Sequence, residues 1–580
     1  MAENQLQNLI DVAAGRKPAD LVIKNGRIVN VFSHEIHRGD VAVQHGRIAG
    51  IGAYRSSNVI DLNGRYLCPG FIDAHVHIES SMLAVPEFAR VVVPHGTTTV
   101  VADPHEFANV MGTEGISYVL RAAKSGPLSV YVMLSSCVPA SPLESAGAVL
   151  SAEDLQPFLA NPWVLGLAEM MNYPGVVAAQ PDVLGKIRLT RDRIIDGHAP
   201  GLAGTDLTAY AAAGVMSDHE CITAEEAAEK LRRGLHIMIR EGSQTRNLDA
   251  LVPLVTPANA SRFLFCTDDK DVRDLIEEGQ IDYMVRKAVA RGLDPILAVR
   301  LGSHNAARYF GLRQTGAILP GYRADMTVLD NLSDCRVTHV FRWGRLVAQD
   351  GRFLESAEPA GTLAPMRGTI NIRPIEPADL AIPAPRGSNS DHPPAIQVIQ
   401  VLDNRIDTDR SVLPASVRNG ELVADPSRDL AKMVVVERHR ASGEIGRCFA
   451  HGFGLKGGAM ASSVAHDAHN LIAVGTNDSD MHLALMHLVK LQGGLVVVRE
   501  GRVLADVPLP IAGLVTDQPA AVTAQKLRDL TRAAHDLGCR FDQPLMALAF
   551  LSLSVIGKLK LTNQGLIDVE RFEPIPLIAG

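Results

Sequence analysis

The sequence has few aromatic residues and no excess of positive charge. Aromatic side chains make up 4% of the 580 residues, and the formal net charge at pH 7 is -8. The chain also has no dense block of lysine and arginine. Nucleic-acid binding surfaces use basic patches to contact phosphates and aromatic side chains to stack on bases. These two shortages argue against a nucleic-acid partner.

Cysteine pairs and long apolar runs are missing as well. The seven cysteines form no Cys-x-x-Cys pair, so neither a disulfide framework nor a zinc ribbon is indicated. The longest late apolar run, 545–557, ends at Lys558 and is too short to span a bilayer. The first residues lack the basic-then-apolar order of a signal peptide. We therefore expect a cytoplasmic protein that does not bind membranes.

Short strands and tight turns occur on both sides of a longer central region. Residues 19–65 contain the turn signals Asn25-Gly26 and His45-Gly46 between alternating apolar stretches. A similar turn pattern occurs again at Arg342-Trp343-Gly344-Arg345. We predict one small β-domain, formed by residues 1–66 and 316–370, that flanks an inserted unit.

The inserted unit, residues 67–315, alternates apolar strands with helix-like stretches. Eight strand candidates end near residues 78, 104, 135, 170, 201, 220, 243 and 269. Strand and helix repeated over about 250 residues predict an α/β fold, a (β/α)8 TIM-type barrel. The alternative is an open doubly wound sheet, but no Gly-x-Gly-x-x-Gly turn follows the first strand.

A second folded region follows the barrel, since 580 residues exceed what one core holds. Residues 351–395 are rich in proline, alanine and serine, and we predict a linker at 371–395. Short strands and glycine turns resume at about residue 396. We predict that residues 396–580 form a C-terminal α/β domain.

Side chains that bind metals fall at the ends of the predicted barrel strands. His75 and His77 are two residues apart on a strand, so they point to the same face, at the end where barrel active sites form. Four further candidates follow later strands: Glu169, His198, His219 and Asp268. A single histidine at a strand end is weak evidence for a metal, but six candidates at the strand ends of one barrel favour a metal site. Four imidazoles and two carboxylates suit one or two divalent ions such as zinc, iron or manganese.

Several motifs place the chain near known families. Residues 69–77 (Pro-Gly-Phe-Ile-Asp-Ala-His-Val-His) resemble the first-strand motif of the amidohydrolase superfamily. The stretches 77–82, 96–99, 103–106 and 447–480 closely resemble the bacterial adenine deaminases, over nearly the whole chain. That resemblance implies hydrolysis of adenine to hypoxanthine and ammonia in purine salvage. It also implies a pair of manganese or iron ions, with zinc as a further candidate.

The fourth predicted strand carries a glutamate rather than a lysine. In many amide-ring hydrolases of this superfamily a carboxylated lysine bridges two metals there, yet no lysine occurs between Lys124 and Lys186. Glu169 has two oxygens with which to bridge two cations. The resemblance to adenine deaminases implies this arrangement.

We expect a metal-activated hydroxide to attack C6 of the purine. Asp268 is predicted to ligate a metal and to take the water's proton, with Glu169 as the bridging ligand. Glu220 is the candidate for moving a proton to a ring nitrogen or to the leaving amine. A supporting carboxylate is the equally simple interpretation of Glu220.

Other polar residues near the same strand ends are candidates for substrate binding. They are Asp103, His105 and Glu106 after the second strand, and Arg240 and Ser243 on the seventh. Helix capping, an extra ion and structural salt bridges are the alternatives. Cys137 has no activating base nearby in sequence, so we predict no thiolate nucleophile. His466 and His469 are left open, either as contributors to a closed site or as hydrogen-bonded residues of a turn.

Two alternatives to adenine hydrolysis remain at this level. One is the same chemistry on a different amino-heterocycle, or hydrolysis of a cyclic amide. The other is a barrel that has lost catalysis, although such proteins typically lose their metal ligands as well. We also expect the chain to form a homo-oligomer, a dimer.

Overall fold

The structure, a computed structural model, describes residues 3–354, 366–402 and 405–579. Its first helix, α1 (Glu3–Ala13), buries Leu9 and Val12 against the strands that follow. Those five strands are β1 (Leu21–Asn30), β2 (Glu35–Gln44), β3 (Arg47–Ile51), β4 (Val59–Asp61) and β5 (Tyr66–Pro69). Gly46 lies in the turn between β2 and β3, with a positive φ of 73° that suits glycine. The turn predicted at Asn25-Gly26 is wrong, because Gly26 lies inside β1, where the pairing with β2 shifts register between Ile23 and Gly26.

Eight parallel strands form the central part of the molecule. They are β6 (Phe71–Val76), β7 (Thr97–Ala102), β8 (Ser129–Ser135), β9 (Val164–Met170), β10 (Ile194–Gly197), β11 (Ser217–Asp218), β12 (His236–Arg240) and β13 (Phe263–Cys266). Strands β6 to β10 form one curled sheet in chain order, and β11 to β13 form a second. Each strand ends within a few residues of its predicted position.

Backbone hydrogen bonds join the two sheets at both seams. The Asp268 N–H donates to the His75 carbonyl at 3.0 Å, and the His77 N–H donates to the Asp268 carbonyl at 3.1 Å. At the other seam, the Met216 N–H donates to the Ile195 carbonyl at 2.9 Å. The strands therefore surround one axis in a TIM-type α/β fold, as predicted, rather than forming an open sheet.

Helices alternate with the barrel strands. They are α2 (Val85–Val92), α3 (His105–Met111), α4 (Thr113–Ala122), α5 (Ala152–Leu155), α6 (Tyr173–Val177), α7 (Pro181–Leu189), α8 (Gly204–Ala212), α9 (Ala224–Arg232), α10 (Leu248–Leu251), α11 (Val272–Glu277), α12 (Ile281–Ala290), α13 (Pro295–Arg300) and α14 (Ala306–Tyr309). Several begin at side-chain caps, as Thr223 does for α9 and Asp271 for α11. Because each helix returns the chain to the start of the next strand, all eight strand ends meet at one face.

Strands from both sides of the barrel share one sheet. After α14 come β14 (Met326–Leu329), β15 (Val337–Arg342), β16 (Arg345–Gln349) and β17 (Arg352–Phe353). Strand β14 pairs antiparallel with β5, which completes a nine-stranded sheet. This sheet combines strands from before and after the barrel, as predicted for the small β-domain. The exact borders of that domain stay a prediction. Residues 355–365 of its predicted range lie outside the described residues.

The C-terminal part is a mixed α/β region. Its elements are β18 (Ile382–Pro383), β19 (Ala395–Val401), β20 (Thr408–Pro414), β21 (Ser416–Arg418), β22 (Glu421–Val423), β23 (Leu430–Val436), β24 (Ile445–His451), β25 (Ala459–Ser462), β26 (Leu471–Gly475), α15 (Asp478–Leu491), β27 (Gly494–Arg499), β28 (Arg502–Pro508), α16 (Ala520–Asp536), α17 (Pro544–Ala549), β29 (Leu559–Thr562), β30 (Gly565–Asp568) and β31 (Glu573–Ile575). Eight of these strands form one sheet in the order β20-β19-β24-β23-β26-β25-β27-β28. Within the described ranges, every helix is too short or too polar to cross a membrane.

The span predicted as a linker, 371–395, lies against the C-terminal sheet. The Asn371 N–H donates to the Arg438 carbonyl at 2.7 Å, and β18 pairs with β22. Leu380 of this span is fully buried. These contacts give the span an ordered course over the domain that it precedes.

The close approach of β9 and β10 makes Gly166 a sensitive position. A Cβ atom at residue 166 would overlap the carbonyl oxygen of Ile194 and lie 3.0 Å from Met133 Cε. Gly166→Ala is therefore expected to destabilise the protein by about 1–3 kcal/mol, since the paired strand cannot move away without losing its ladder. Thermal and urea denaturation measure the change.

Gly185→Ala is the matched control for this substitution. Gly185 lies in α7, where an added Cβ would sit 3.7 Å from Ala152 Cβ in ordinary contact. Alanine is also the better helix former, so this variant is expected to be as stable as the parent or more so. If Gly166→Ala is as stable as the parent, β9 and β10 can separate to accept a Cβ atom without a measurable loss of stability, and this prediction is wrong.

Candidate active site

The structure brings all six predicted metal ligands together at the C-terminal ends of the barrel strands. They come from β6, β9, β10, β11 and β13 or the residues directly after them: His75, His77, Glu169, His198, His219 and Asp268. Each is at most 4% exposed to solvent. Buried ionisable groups at this density need neutralising partners.

The first group of ligands surrounds His75 and His77. Their Nε2 atoms are 3.1 Å apart. Glu169 Oε1 lies 3.5 Å from His75 Nε2 and 3.0 Å from His77 Nε2, and Asp268 Oδ1 lies 3.4 and 3.1 Å from the same atoms. Atoms that bind one ion at about 2.1 Å with angles of about 90–110° lie about 3.0–3.4 Å apart. The four residues therefore fit a divalent cation.

The second group uses the other oxygen of Glu169. Glu169 Oε2 lies 2.5 Å from His198 Nδ1 and 3.0 Å from His219 Nε2. The buried His219 Nε2 atom has no hydrogen-bond partner within the described residues, as a nitrogen that serves as a metal ligand would not. Lys186, the nearest lysine after this strand in sequence, donates instead to the Ser136 carbonyl at 2.6 Å. The two carboxylate oxygens thus face two different pairs of imidazoles.

Electrostatics in this cluster favour an ionised Glu169. Burial acts to raise the pKa of its carboxyl group, but the imidazoles of His219 and His198 hold that pKa well below its ordinary value. An ionised carboxylate between two pairs of nitrogen ligands has the charge and the shape of a bridging ligand.

Asp103 orients ligands and neighbours rather than lining the cavity. Its carbonyl oxygen accepts a hydrogen bond from His77 Nδ1 at 3.0 Å, which turns His77 Nε2 toward the first group. Its carboxylate accepts from Ser135 Oγ and from His105 Nδ1, both at 3.0 Å. This position fits a residue that supports the ligands, and a substrate contact of Asp103 stays a prediction.

Arg240 links the two candidate catalytic carboxylates. Its Nη1 donates to Asp268 Oδ2 at 2.6 Å and to Glu220 Oε1, and its Nη2 donates to Glu220 Oε2 at 3.0 Å. Burial acts to raise the pKa of Asp268, but Arg240 and the neighbouring histidines hold it well below its ordinary value. Glu220 Oε1 also lies 3.5 Å from His219 Nε2, beside the second group.

A cavity opens onto both groups. Its barrel side consists of polar residues: His77, His105, Glu106, Glu169, His198, His219, Glu220, Arg240, Asp268 and Asp269, with the apolar Met171. Its opposite side comes from the C-terminal part of the chain: Ile406, His466, Asp467, Phe550, Leu553 and Ile556. A polar floor with metal ligands and a largely apolar roof is the composition of a small-molecule site.

Ser243, like Asp103, does not line this cavity. Its hydroxyl donates to Asp274 Oδ2 at 2.6 Å and accepts from the Asp271 N–H at 3.0 Å. The neighbouring Asp269, which was not predicted, does line the cavity and accepts a hydrogen bond from Ser80. Its position directly after Asp268 was the available signal.

The C-terminal histidines lie at different depths. His466 lines the cavity, stacks on Phe550 with ring centroids 4.4 Å apart, and places Nδ1 3.2 Å from Glu106 Oε1. His469 is fully buried behind it, with Nε2 4.0 Å from Glu106 Oε2. The C-terminal part therefore contributes to the closed site, while the apolar roof residues carried no signal in the sequence.

Cys137 lies close to this region as a buried thiol. The thiol is buried, and burial raises its pKa to about 11, although His105 acts in the opposite direction. A thiol with such a pKa is not ionised near neutral pH. That no thiolate acts as the nucleophile stays a prediction, and the raised pKa favours it.

Comparison with known proteins gives matches over both halves of the chain. Residues 66–347 match the amidohydrolase family, and residues 405–573 match the adenine deaminase C-terminal domain. The chain is 46% identical to the adenine deaminase of Desulfatibacillum aliphaticivorans over 98% of this chain and 99% of that protein. It is 48% identical to adenine deaminase 2 of Carboxydothermus hydrogenoformans, with 99% of each chain covered.

Among solved structures, the chain is similar to a beta-aspartyl dipeptidase from Fervidobacterium islandicum AW-1, with 19% identity and a TM-score of 0.45. That match covers 58% of this chain and 99% of the dipeptidase. The barrel, its ligand set and the family match define a metal-dependent hydrolase of the amidohydrolase class. Within that class, the chain belongs to the adenine deaminase family.

Bound metal is expected to stabilise the fold, because a ligand that binds only the native state shifts unfolding by mass action. A chelator should therefore lower the apparent melting temperature of the parent by several degrees. His77→Asn removes one ligand nitrogen and should show a smaller chelator effect. Differential scanning fluorimetry with and without chelator measures both.

His236→Asn provides the matched control. His236 begins β12, at the opposite end of the strand from the site, and its ring contacts the Met216 carbonyl. This variant should keep the parental chelator effect. An undiminished effect in His77→Asn would contradict the assignment of the first group as a metal site.

Proposed function

We propose that this chain hydrolyses adenine to hypoxanthine and ammonia with two divalent cations, as in purine salvage. The observation that carries the proposal is the placement of Glu169, whose two oxygens face separate pairs of histidines. The adenine deaminase names of relatives that cover nearly the whole chain supply the substrate.

The proposed cations are manganese or iron. His75, His77, Asp268 and Glu169 would hold one cation, and His198 and His219, sharing Glu169, would hold the other. Imidazole and carboxylate ligands suit these ions and also suit zinc. When bound, such cations lower the pKa of a water molecule at the site toward neutrality.

Asp268 is the proposed base. Its Oδ2 is anchored by Arg240 at 2.6 Å, while Oδ1 faces His75 and His77. Its lowered pKa means that it is ionised and ready to accept a proton at neutral pH. As the water oxygen bonds to C6 of adenine, its proton passes to Asp268.

Glu220 is the proposed carrier of a proton to the purine. The proton taken from the water is delivered to the exocyclic amine, so that the C6–N bond breaks and ammonia leaves. The second proton of the water passes from the new C6 hydroxyl to ring N1, and the oxygen becomes the C6 carbonyl. Asp268 and Glu220 share the guanidinium of Arg240, so a proton that moves between them leaves the charge of the cluster unchanged. An unchanged net charge matters here because charges interact more strongly in a buried cluster than in water.

The remaining cavity residues are proposed to position the purine substrate. His105 and Glu106 line the cavity, and Asp103 holds the ring of His105. Phe550, Leu553 and Ile556 cover the opposite side and exclude water from the reacting carbon. Assembly as a homodimer and a cytoplasmic location stay predictions from the sequence.

Asp268→Asn tests the proposed base. It keeps the size of the side chain but cannot accept the proton, so kcat should fall by about 10²–10⁴-fold, with metal content near the parental level. The loss of adenine absorbance gives kcat, and elemental analysis gives the metal content. Asp249→Asn, at a surface ion pair with Arg291, is the matched control. An unchanged kcat in Asp268→Asn would reject its role.

Metal stoichiometry tests the two-ion arrangement. The parent should bind about two equivalents, and His198→Ala about one, because the first group of ligands stays intact. Glu169→Ala removes the shared ligand and should lower both occupancies. Elemental analysis of protein purified with added manganese measures these values. One equivalent in both the parent and His198→Ala would contradict the second site.

A further inference from the structure

Asp467 places an unpaired carboxylate oxygen inside the cavity. The residue is 1% exposed, and its Oδ2 has no hydrogen-bond partner within the described residues. His105 Nε2 lies 3.8 Å from it, beyond hydrogen-bond distance. A buried carboxylate oxygen without a partner is costly. This oxygen is therefore open to a donor on a bound ligand.

The position of Asp467 is held by its neighbours. The His466 N–H donates to the Ala549 carbonyl at 3.0 Å, and the His466 carbonyl accepts from Ser552 Oγ at 3.0 Å. The ring of His466 is stacked nearly parallel on Phe550. A carboxylate held in this way meets a ligand without first having to be ordered.

Asp467 and Glu169 lie beside different nitrogens of the His105 ring. Glu169 Oε1 is 4.0 Å from His105 Nδ1, whereas Asp467 Oδ2 is 3.8 Å from His105 Nε2. A substrate whose reacting carbon faces Glu169 can therefore extend along this ring and bring its other edge to Asp467. In adenine that other edge belongs to the imidazole ring, which carries an N–H in the free base.

We propose that Asp467 accepts a hydrogen bond from the imidazole N–H of the free purine base and so selects bases over nucleosides. This inference rests on the proposed hydrolysis of adenine. A substituent on N9 replaces the hydrogen with carbon, which leaves the buried oxygen of Asp467 unpaired. Sites built to hydrogen-bond an N–H reject analogues that lack it much more strongly than apolar pockets reject an extra methyl group.

The test compares adenine with 9-methyladenine, which lacks this N–H. In Asp467→Ala, kcat/KM for adenine should fall by about 10- to 150-fold, the worth of a hydrogen bond to a charged group, mainly through a higher KM. The value for 9-methyladenine should stay the same or rise. The preference for adenine should therefore shrink at least tenfold. Asp467→Asn keeps a carbonyl acceptor without the charge and should lie between Asp467→Ala and the parent.

Asp506→Ala is the matched control, because Asp506 lies in β28 and contacts His487 at 2.8 Å. It should keep the parental kinetics, and every variant should keep the parental metal content. If Asp467→Ala fails to fold, Asp467→Asn decides the question. An unchanged preference for adenine over 9-methyladenine in the folded variants would overturn the role of Asp467.

Failure of the proposed function gives a different result. A parent that releases no ammonia from adenine contradicts adenine hydrolysis itself. An active parent whose preference survives the loss of Asp467 contradicts only this inference. Calorimetric binding of hypoxanthine and of 9-methylhypoxanthine makes the same comparison without turnover, and the preference for hypoxanthine should likewise shrink in Asp467→Ala.

Discussion

Glu169 lies within 3.5 Å of a ring nitrogen of four different histidines, and none of these groups has access to bulk water. A carboxylate in such surroundings must be neutralised by its neighbours or by cations that it shares with them. This requirement keeps each of the four imidazoles close to Glu169. The register of the strands that carry these histidines depends on it.

The barrel satisfies this requirement through its backbone. Side chains two residues apart on a strand point the same way, so β6 presents His75 and His77 together. Asp268 joins β13 to β6 through two backbone hydrogen bonds and also faces the same histidines with its side chain. The backbone contacts that close the barrel at this seam therefore also place Asp268 beside the two histidines. Arg240 then holds Asp268 and Glu220 in a fixed relation.

The C-terminal part completes the site from above. Its apolar side chains cover the cavity, and His466 and Asp467 add polar atoms on the side opposite the metal ligands. The barrel alone would leave the cluster open to water, which weakens every electrostatic interaction within it. In our proposals, barrel residues activate water, and the C-terminal carboxylate of Asp467 selects the free purine base by accepting a hydrogen bond from its imidazole N–H.

The eight strands and the six ligands could be predicted because both follow from local rules. Alternating apolar residues mark strands, and parallel strands bring their C-terminal ends to one face. Those rules do not say where a side chain on a loop turns, and Ser243, a predicted substrate contact, instead hydrogen-bonds with Asp274 and Asp271. The same rules do not predict that Phe550 and Asp467 line one cavity with barrel residues several hundred positions earlier. The sequence by itself determined that six side chains able to bind metals meet at one end of the barrel, because strand period and topology place them there. Only the tertiary structure decided what covers them, because packing between distant segments depends on shape and not on any local pattern.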